Sequence, residues 1–134
     1  MNSFTTLDQA RESRIAPWDE LVVDLDTVKV FADRYPVTIG HRLFVPKYNT
    51  LDNITECFRA AIKYGQNLVE AGGCDSYNVG MNIGSSAGQT IMYPHVHCIP
   101  RRQGDTPDPV GGVRGVIPGQ ANYHSNQYRN PHDI

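Results

Sequence analysis

The stretch from Gly88 to Arg102 reads G-Q-T-I-M-Y-P-H-V-H-C-I-P-R-R and carries two histidines separated by one residue. Side chains of an extended strand alternate between its two faces, so His95 and His97 project from one face, about 7 Å apart. A loop of small residues ending in a glutamine amide, 84–89, lies just upstream. Paired imidazoles, a Gly/Ser loop and two arginines together favour binding of a phosphate group.

Short segments rich in β-branched residues predict strands around this stretch. They are residues 20–25, 28–32, 41–45, 77–82 and 96–100. Residues 51–71 have apolar side chains at helical spacing, with Thr50 as a candidate N-cap and Gly72 and Gly73 as a candidate end. A shorter helix is expected over 7–14. Short strand connections and one long helix predict an α+β domain, with an antiparallel sheet, the helix on one face and the other face free to bind.

Gly65 interrupts the helical segment at a position where the pattern continues on both sides. Glycine in a helix interior costs about 1 kcal/mol relative to alanine. We therefore expect another part of the chain to approach the helix closely at this residue.

The composition limits the classes of function. The chain has 134 residues, 40% of them hydrophobic and 19% charged, which predicts one globular domain over 1–134. A net charge of −2 argues against nucleic acid as a partner. The sequence has no apolar run of the ~20 residues needed to span a bilayer, so no membrane is expected. Three cysteines without a C-x-x-C pair indicate reduced thiols and a cytoplasmic protein.

The two histidines suggest chemistry at phosphorus. A neutral imidazole is a competent nucleophile, and covalent catalysis divides a difficult displacement into two easier steps. His95 could attack, while His97 could donate a hydrogen bond to a phosphate oxygen as charge develops there. Backbone N–H groups and hydroxyls of Ser85, Ser86 and Gly88 could hold other oxygens.

Two alternatives to this chemistry stay open at the level of the residues. Either histidine could be a structural residue with its hydrogen bonds satisfied. Two histidines on one face could also share Zn²⁺, whose structural sites take four ligands. Cys98 faces the opposite side of the strand and Asp105 lies in a Gly/Pro-rich tail, so we predict neither a metal site nor a cofactor.

Ordered motifs over much of the chain match a known family. The run Gln89–Arg101 resembles the signature of the histidine triad (HIT) nucleotide hydrolases and transferases. The segment Asp33–Lys47 looks like the family's Gly-His-x-Leu strand, and Asn82 falls just before the Gly/Ser loop. The continuation from Gly104 to Pro118 resembles a bacterial branch described as diadenosine-polyphosphate hydrolase-like. The resemblance covers about 21–123 and leaves 124–134 as a terminal tail.

The resemblance implies a five-stranded antiparallel sheet, a homodimer, and cleavage of a nucleotide, with adenine most expected, at its α-phosphate. His95 matches the nucleophile and His97 the histidine near the leaving group. Asp33 matches the residue that holds the ribose hydroxyls, Leu43 a contact to the base, and His41 a histidine that lines the site. Asn82 and Gln89 match contacts to the phosphates, and Gln89 is placed among the catalytic residues. The further nucleotide contacts that we expect are Ser86, Gly88, Thr90 and Tyr93.

Tyr93 stands where the family has the first histidine of its triad, and Pro94 follows it. In the family that histidine supports the site, while a nearby main-chain carbonyl orients the nucleophile. A carbonyl survives the change to tyrosine. Two functions therefore remain: an enzyme that turns nucleotides over, or a nucleotide-binding sensor or partner protein that has lost turnover.

The roles of the arginines and aromatic residues are less constrained. Arg101 and Arg102 alternate faces, so at most one should face the phosphates. Arg114 could reach a polyphosphate tail or a dimer partner. Aromatic side chains that could stack on a base are expected instead in the core or at the rim: Trp18, Tyr35 and Phe44.

Overall fold

The computed structural model describes residues 4–133. Its elements are α1 (Leu7–Glu12), β1 (Leu21–Asp24), β2 (Val28–Ala32), β3 (Arg42–Pro46), α2 (Leu51–Glu70), β4 (Ser76–Gly80) and β5 (Val96–Arg101). The strands form one sheet in the order β1-β2-β3-β5-β4, and every neighbouring pair is antiparallel. The predicted α+β class, with five antiparallel strands and one main helix, is confirmed. Within 4–133 no helix combines the length and apolar character that crossing a membrane requires.

Helix α2 forms where the sequence predicted it because its local signals agree. Thr50 is the N-cap, and its hydroxyl accepts a hydrogen bond from the Asn53 N–H. Residues at four-residue spacing, from Asn53 through Cys57 and Ala61, face the sheet and are buried. The helix ends at Glu70 with Ala71 as its C-cap, and Gly72 follows with φ 78°, a conformation that glycine adopts without a Cβ penalty.

The close approach predicted at Gly65 is confirmed. The ring of Tyr77 on β4 lies so near that a Cβ built on Gly65 would be 2.5 Å from its Cγ. The absence of a side chain at this position lets β4 pack directly against α2. This close packing offsets the lower helix propensity of glycine.

The two faces of the sheet are both partly covered. Val96 and Cys98 of β5 pack with Phe44 and with Cys57 and Ala61 of α2 in one core cluster. His97 lies between Val96 and Cys98 in the strand and projects from the opposite face.

The prediction that this opposite face is free needs correction. The N-terminal segment folds over part of it, so that Leu7 and Trp18 join Phe31, Leu43 and Tyr93 in a second buried cluster. What remains open on this face is a cavity beside the cluster. Apolar side chains in 4–18 cover the sheet because Phe31 and Leu43 would otherwise expose their apolar surface to water.

Two boundaries that matter for the site, the start of β3 and the end of β4, differ by one or two residues from the predicted ones, whereas β5 begins where it was predicted. β3 begins at Arg42 and β5 at Val96, so His41 and His95 each lie just before a strand. β4 ends at Gly80, which leaves Asn82 in the following loop.

By backbone contacts the chain divides into two compact units, Met1–Arg102 and Gln103–Ile134, where the sequence predicted one domain. The described part of the second unit contains short 3-10 helices at Gly112–Val116 and Pro131–Asp133. Arg114 donates hydrogen bonds to the carbonyls of Ala121 and Gln120 and lies over the Tyr123 ring. Its guanidinium therefore stabilises the turn at Gln120 and Ala121, which belongs to the same unit.

Candidate active site

A cavity of about 510 Å³ opens on the sheet face opposite α2. Most of the residues predicted for a nucleotide site line it, although they come from distant parts of the chain. They are Asp33, His41, Leu43, Asn82, Gly88, Gln89, Thr90, His95 and His97.

The ring of His95 is held by the backbone just before β5. Its Nδ1 lies 2.8 Å from the carbonyl oxygen of Tyr93, and because a carbonyl only accepts, Nδ1 carries the proton and donates. In a neutral imidazole this leaves an unprotonated Nε2 available to the cavity. The ring of Trp18 packs against His95, with centroids 4.9 Å apart, and limits its rotation. His95 is only 8% exposed but belongs to the cavity wall.

The expectation of a direct nucleotide contact from the Tyr93 side chain is wrong. The side chain is fully buried, and its hydroxyl donates to the carbonyl of Pro46 across 2.8 Å. Burial raises its pKa well above the ordinary value, so it stays a neutral donor. Tyr93 contributes to the site through its backbone carbonyl, which receives the His95 proton.

A second histidine pair forms because β3 and β5 are neighbours. Leu43 pairs with His97 in the sheet, so His41, two residues before Leu43, lies diagonally opposite His97 on the same face. His41 Nε2 and His97 Nδ1 are 2.9 Å apart. The two rings meet although 56 residues separate them in the sequence.

Hydrogen-bond partners fix which of these nitrogens carries the proton. The backbone N–H of Val37 donates to His41 Nδ1 across 3.1 Å, so that nitrogen is unprotonated. A neutral His41 then carries its proton on Nε2 and donates it to His97 Nδ1. His97 in turn must carry its own proton on Nε2. His95 and His97 therefore hold opposite tautomers.

The three histidines are neutral at pH 7. Burial, together with the neighbouring His95 and His41 and against the opposing charge of Asp33, lowers the pKa of His97 to about 4. Burial also lowers the pKa of His95, against the opposing effects of the Tyr93 carbonyl and the Asp33 charge. The pKa of His41 is lowered by burial as well, with Asp33 acting in the opposite direction.

Asp33 places a carboxylate beside the three histidines. Its Oδ1 accepts a hydrogen bond from the backbone N–H of Tyr35 across 2.8 Å, which fixes the carboxylate. Its Oδ2 lies 3.4 Å from His41 Nε2 and offers a longer, second acceptor for the same proton. The carboxylate lines the cavity and can accept hydrogen bonds from hydroxyls.

Asp33, His41 and His97 are also the one described group whose ligand atoms, within 4.8 Å of one another, could hold a metal ion. This set could not be recognised from residues near the histidine strand, because Asp33 and His41 come from a distant part of the sequence. Coordination by His41 Nε2 requires loss of its proton and a protonated Nδ1 facing the Val37 N–H, which would leave two donors opposed. Hydrogen bonding accounts for the short distances, and the expectation of no metal stays a prediction.

The Gly/Ser loop is ordered by its own glutamine. Gln89 Oε1 accepts from the Gly84 N–H across 2.9 Å, and its Nε2 donates to the Ile91 carbonyl across 3.0 Å. Both ends of the amide are thus engaged within the loop, so a phosphate contact from Gln89 requires a change of partner. Gly88, with φ 93°, turns the chain toward the cavity, whereas Ser86 lies outside the cavity wall.

Arg101, the last residue of β5, and Arg102, which follows it, make hydrogen bonds to other parts of the framework. Arg101 donates to the Asn78 side chain across 2.8 Å, and Arg102 donates to the carbonyls of Ile39 and Gly73. Neither belongs to the cavity wall. Several residues that were not predicted to belong to the site also line the cavity, among them Pro17, Trp18, Asp19, Arg34, Tyr35, Val37 and Ile91. For Trp18 the sequence offered only an isolated aromatic residue, which is compatible with a core position.

Comparison with known proteins agrees with this geometry. The HIT domain model matches residues 18–104. The chain is 38% identical over 80 residues to the adenylylsulfatase HINT3 of Arabidopsis thaliana, covering 54% of this chain and 41% of the plant protein. It is 32% identical over 82 residues to the asymmetrical bis(5'-nucleosyl)-tetraphosphatase of Schizosaccharomyces pombe, covering 56% and 45%. It thus spans less than half of either relative.

A solved structure shows the same fold. A zinc-bound histidine triad family protein from Mycobacterium smegmatis superposes with a TM-score of 0.62 at 26% identity, over 80% of this chain and 86% of that one. Since the family model spans well over half of the 134 residues and the sheet, helix and paired histidines agree with it, this chain belongs to the family of HIT-domain proteins.

Proposed function

We propose that this protein is a nucleotide hydrolase or nucleotidyl transferase that cleaves its substrate at the α-phosphate through a nucleotidyl-histidine intermediate on His95. The observation that carries the proposal is the set of hydrogen-bond partners around His95 and His97, which requires opposite tautomers of the two rings. His95 has an unprotonated Nε2 and His97 a protonated one, and their ring centroids are 5.2 Å apart on one cavity wall. A nucleophile beside a hydrogen-bond donor is what displacement at phosphorus requires.

The chemistry balances with these two side chains. His95 Nε2 forms a bond to the α-phosphorus while the bond from phosphorus to the leaving group breaks and its electron pair departs with that group. The neutral His97 donates a hydrogen bond from Nε2–H to the departing atom and keeps its proton, so a phosphate leaves as an anion and an amine takes its proton from water. The nucleotidylated ring is a cation that keeps its Nδ1–H on the Tyr93 carbonyl. Water then bonds to phosphorus and gives up a proton to the solvent as the bond from phosphorus to Nε2 breaks, which releases the nucleoside monophosphate and leaves His95 as a neutral imidazole.

The proposed substrate is an adenine nucleotide with a substituent on its α-phosphate, either a dinucleoside polyphosphate or a nucleoside phosphoramidate. Two relatives, a bis(5'-nucleosyl)-tetraphosphatase and an adenylylsulfatase, support this class. Asp33 would accept hydrogen bonds from the ribose hydroxyls and Leu43 would contact the base. Asn82 and the backbone of Gly88 and Thr90 would face the phosphates.

We propose further that the protein is a cytoplasmic homodimer that uses no metal or cofactor and takes neither nucleic acid nor membrane as a partner. The resemblance to the family supports the dimer. Buried free thiols at Cys57, Cys74 and Cys98 suit a reducing compartment. Zinc analysis of protein purified without chelator tests the expectation about metal.

Trapping the intermediate tests the proposal directly. The protein is mixed with diadenosine tetraphosphate, quenched in neutral denaturant to preserve the acid-labile P–N bond, and examined by mass spectrometry. We expect one adenylyl group on the peptide that contains His95. His95→Ala should form no adduct and lose turnover, yet bind AMP within about tenfold of the wild type, because the lost interaction belongs mainly to the transition state. His132→Ala, an exposed histidine, is the matched control.

A second candidate function is a nucleotide-binding sensor or partner protein. Its support is that Tyr93 replaces the first triad histidine and that the Gln89 amide is engaged within its own loop. AMP binding without adduct or AMP release in the wild type would favour this candidate. Fluorescence of Trp18, the one tryptophan of the chain, reports binding because its ring contacts His95.

A further inference from the structure

A chain of hydrogen bonds leads from the backbone of the β2–β3 loop to His97. The Val37 N–H donates to His41 Nδ1 across 3.1 Å, and His41 Nε2 meets His97 Nδ1 at 2.9 Å. A backbone N–H can only donate, so the first bond sets the direction of the second. His41 is 3% exposed, which makes an unsatisfied nitrogen there costly.

The loop that carries Val37 is fastened to the rest of its unit by side chains of other elements. Thr38 Oγ1 donates to the Pro100 carbonyl across 2.6 Å, and Tyr64 donates to the Gly40 carbonyl across 2.7 Å. The Asp33 N–H also donates to the His41 carbonyl and closes the base of the loop. The Val37 amide is therefore held in a fixed position beside His41.

Reversing the proton positions is unfavourable in this arrangement. If His97 carried its proton on Nδ1, that proton would face the Nε2–H of His41 across 2.9 Å. If His41 shifted its own proton to Nδ1 to avoid this, the proton would face the Val37 N–H. Asp33 Oδ2, at 3.4 Å from His41 Nε2, is the more distant acceptor and leaves His97 as the main one.

We propose that His41 is a positioning residue that fixes His97 in the tautomer with its proton on Nε2. His41 thereby presents a hydrogen-bond donor of His97 to the phosphate or leaving group without touching the reacting atoms itself. This role rests on the proposed function, because it matters for rate only if His97 donates during displacement at phosphorus.

Two amide substitutions separate the two ends of the His41 ring. His41→Gln can place an N–H near the position of Nε2 and keep the donor to His97, whereas His41→Asn can only replace the acceptor for Val37. We expect His41→Gln to retain kcat within about threefold. We expect His41→Asn to lower kcat about tenfold, a change of about 1.4 kcal/mol in activation free energy, with KM changed less than about threefold.

Nitrogen NMR of ¹⁵N-histidine-labelled protein reads the tautomers without any turnover. The wild type at neutral pH should show a pyrrole-type Nε2 and a pyridine-type Nδ1 for His97, and the reverse for His95. His41→Asn should move the His97 signals toward a mixture, and His41→Gln should leave them in place. His132→Asn controls for a change at an exposed histidine.

The outcomes distinguish this inference from the proposed function. A protonated Nδ1 on His97 in the wild type would overturn the inference even if no variant folds. Wild-type kcat and an unchanged His97 spectrum in His41→Asn would overturn it as well. If the wild type turns over no diadenosine tetraphosphate, the proposed function fails, while the spectra still decide the tautomer of His97.

Discussion

Acid should destabilise this protein through the buried histidines of its cavity. In the folded state, burial holds the pKa of His97 at about 4, whereas an exposed histidine in the unfolded chain titrates near 6.5. Between these values the unfolded chain binds a proton that the folded chain does not. Stability therefore rises with pH through this window and falls as pH decreases from about 6.5 toward about 4.

The size of this loss of stability follows from the same two pKa values. Lowering the pH from about 8 to about 4.5 should remove about 2 to 3 kcal/mol of unfolding free energy through His97 alone. His95 and His41, whose pKa values are also lowered by burial, add to this loss. The total is a large part of the 5 to 15 kcal/mol, roughly, that stabilises a typical domain.

Urea unfolding measured at both pH values checks this result. At a slope of about 1 to 3 kcal/mol per molar urea, the midpoint should fall by about 1 M or more. His97→Gln should lose much of that dependence, while His132→Gln should keep it. A stability difference between wild type and His97→Gln that stays constant across this pH range would show that the pKa of His97 is not lowered in the folded protein.

Three further substitutions test the packing. Tyr93→His should lower the unfolding free energy by about 2 to 3 kcal/mol, because it removes a buried hydrogen bond and leaves a void. It should not raise the rate of turnover. A variant that turns over faster and is as stable as the wild type would contradict the core position of Tyr93. Gly65→Ala should lower the unfolding free energy by about 1 to 2 kcal/mol, since overpacking against Tyr77 outweighs the gain in helix propensity. Gly80→Ala is the control, because the added Cβ would meet open space. Equal effects of the two substitutions on stability would refute the clash with Tyr77. Thr50→Ala should cost about 1 kcal/mol in thermal or urea unfolding, and no change would remove Thr50 as the N-cap of α2.

The elements themselves could largely be predicted from the sequence. Helix α2 was predicted from residue 51, where it begins, because its cap and its apolar spacing involve residues only three or four positions apart. The strand Val28–Ala32 was predicted with its observed ends because its β-branched residues and flanking turns are local signals. His95 and His97 were identified from the alternation of side chains along a strand, and Asp33 from the resemblance to the histidine triad family. The structure brings all three to one cavity.

Other features depended on contacts between distant residues. The N-terminal segment covers part of the face that the sequence left free, because Leu7 and Trp18 join the apolar cluster on that face. Tyr93 was assigned to the nucleotide site by its place in the motif, yet its side chain points into this cluster. The local sequence pattern does not reveal whether a side chain at this position faces the cavity or packs into the neighbouring apolar cluster.

The sequence by itself determined the secondary structure, the α+β class and the identity of the paired histidines, since these follow from spacing along the chain. Only the tertiary structure decided where the protons of those histidines reside. The pairing of Leu43 with His97 across β3 and β5 brings His41 into hydrogen-bond contact with His97. The tautomer then follows from the Val37 amide, because a backbone N–H donates and so requires an unprotonated nitrogen opposite it.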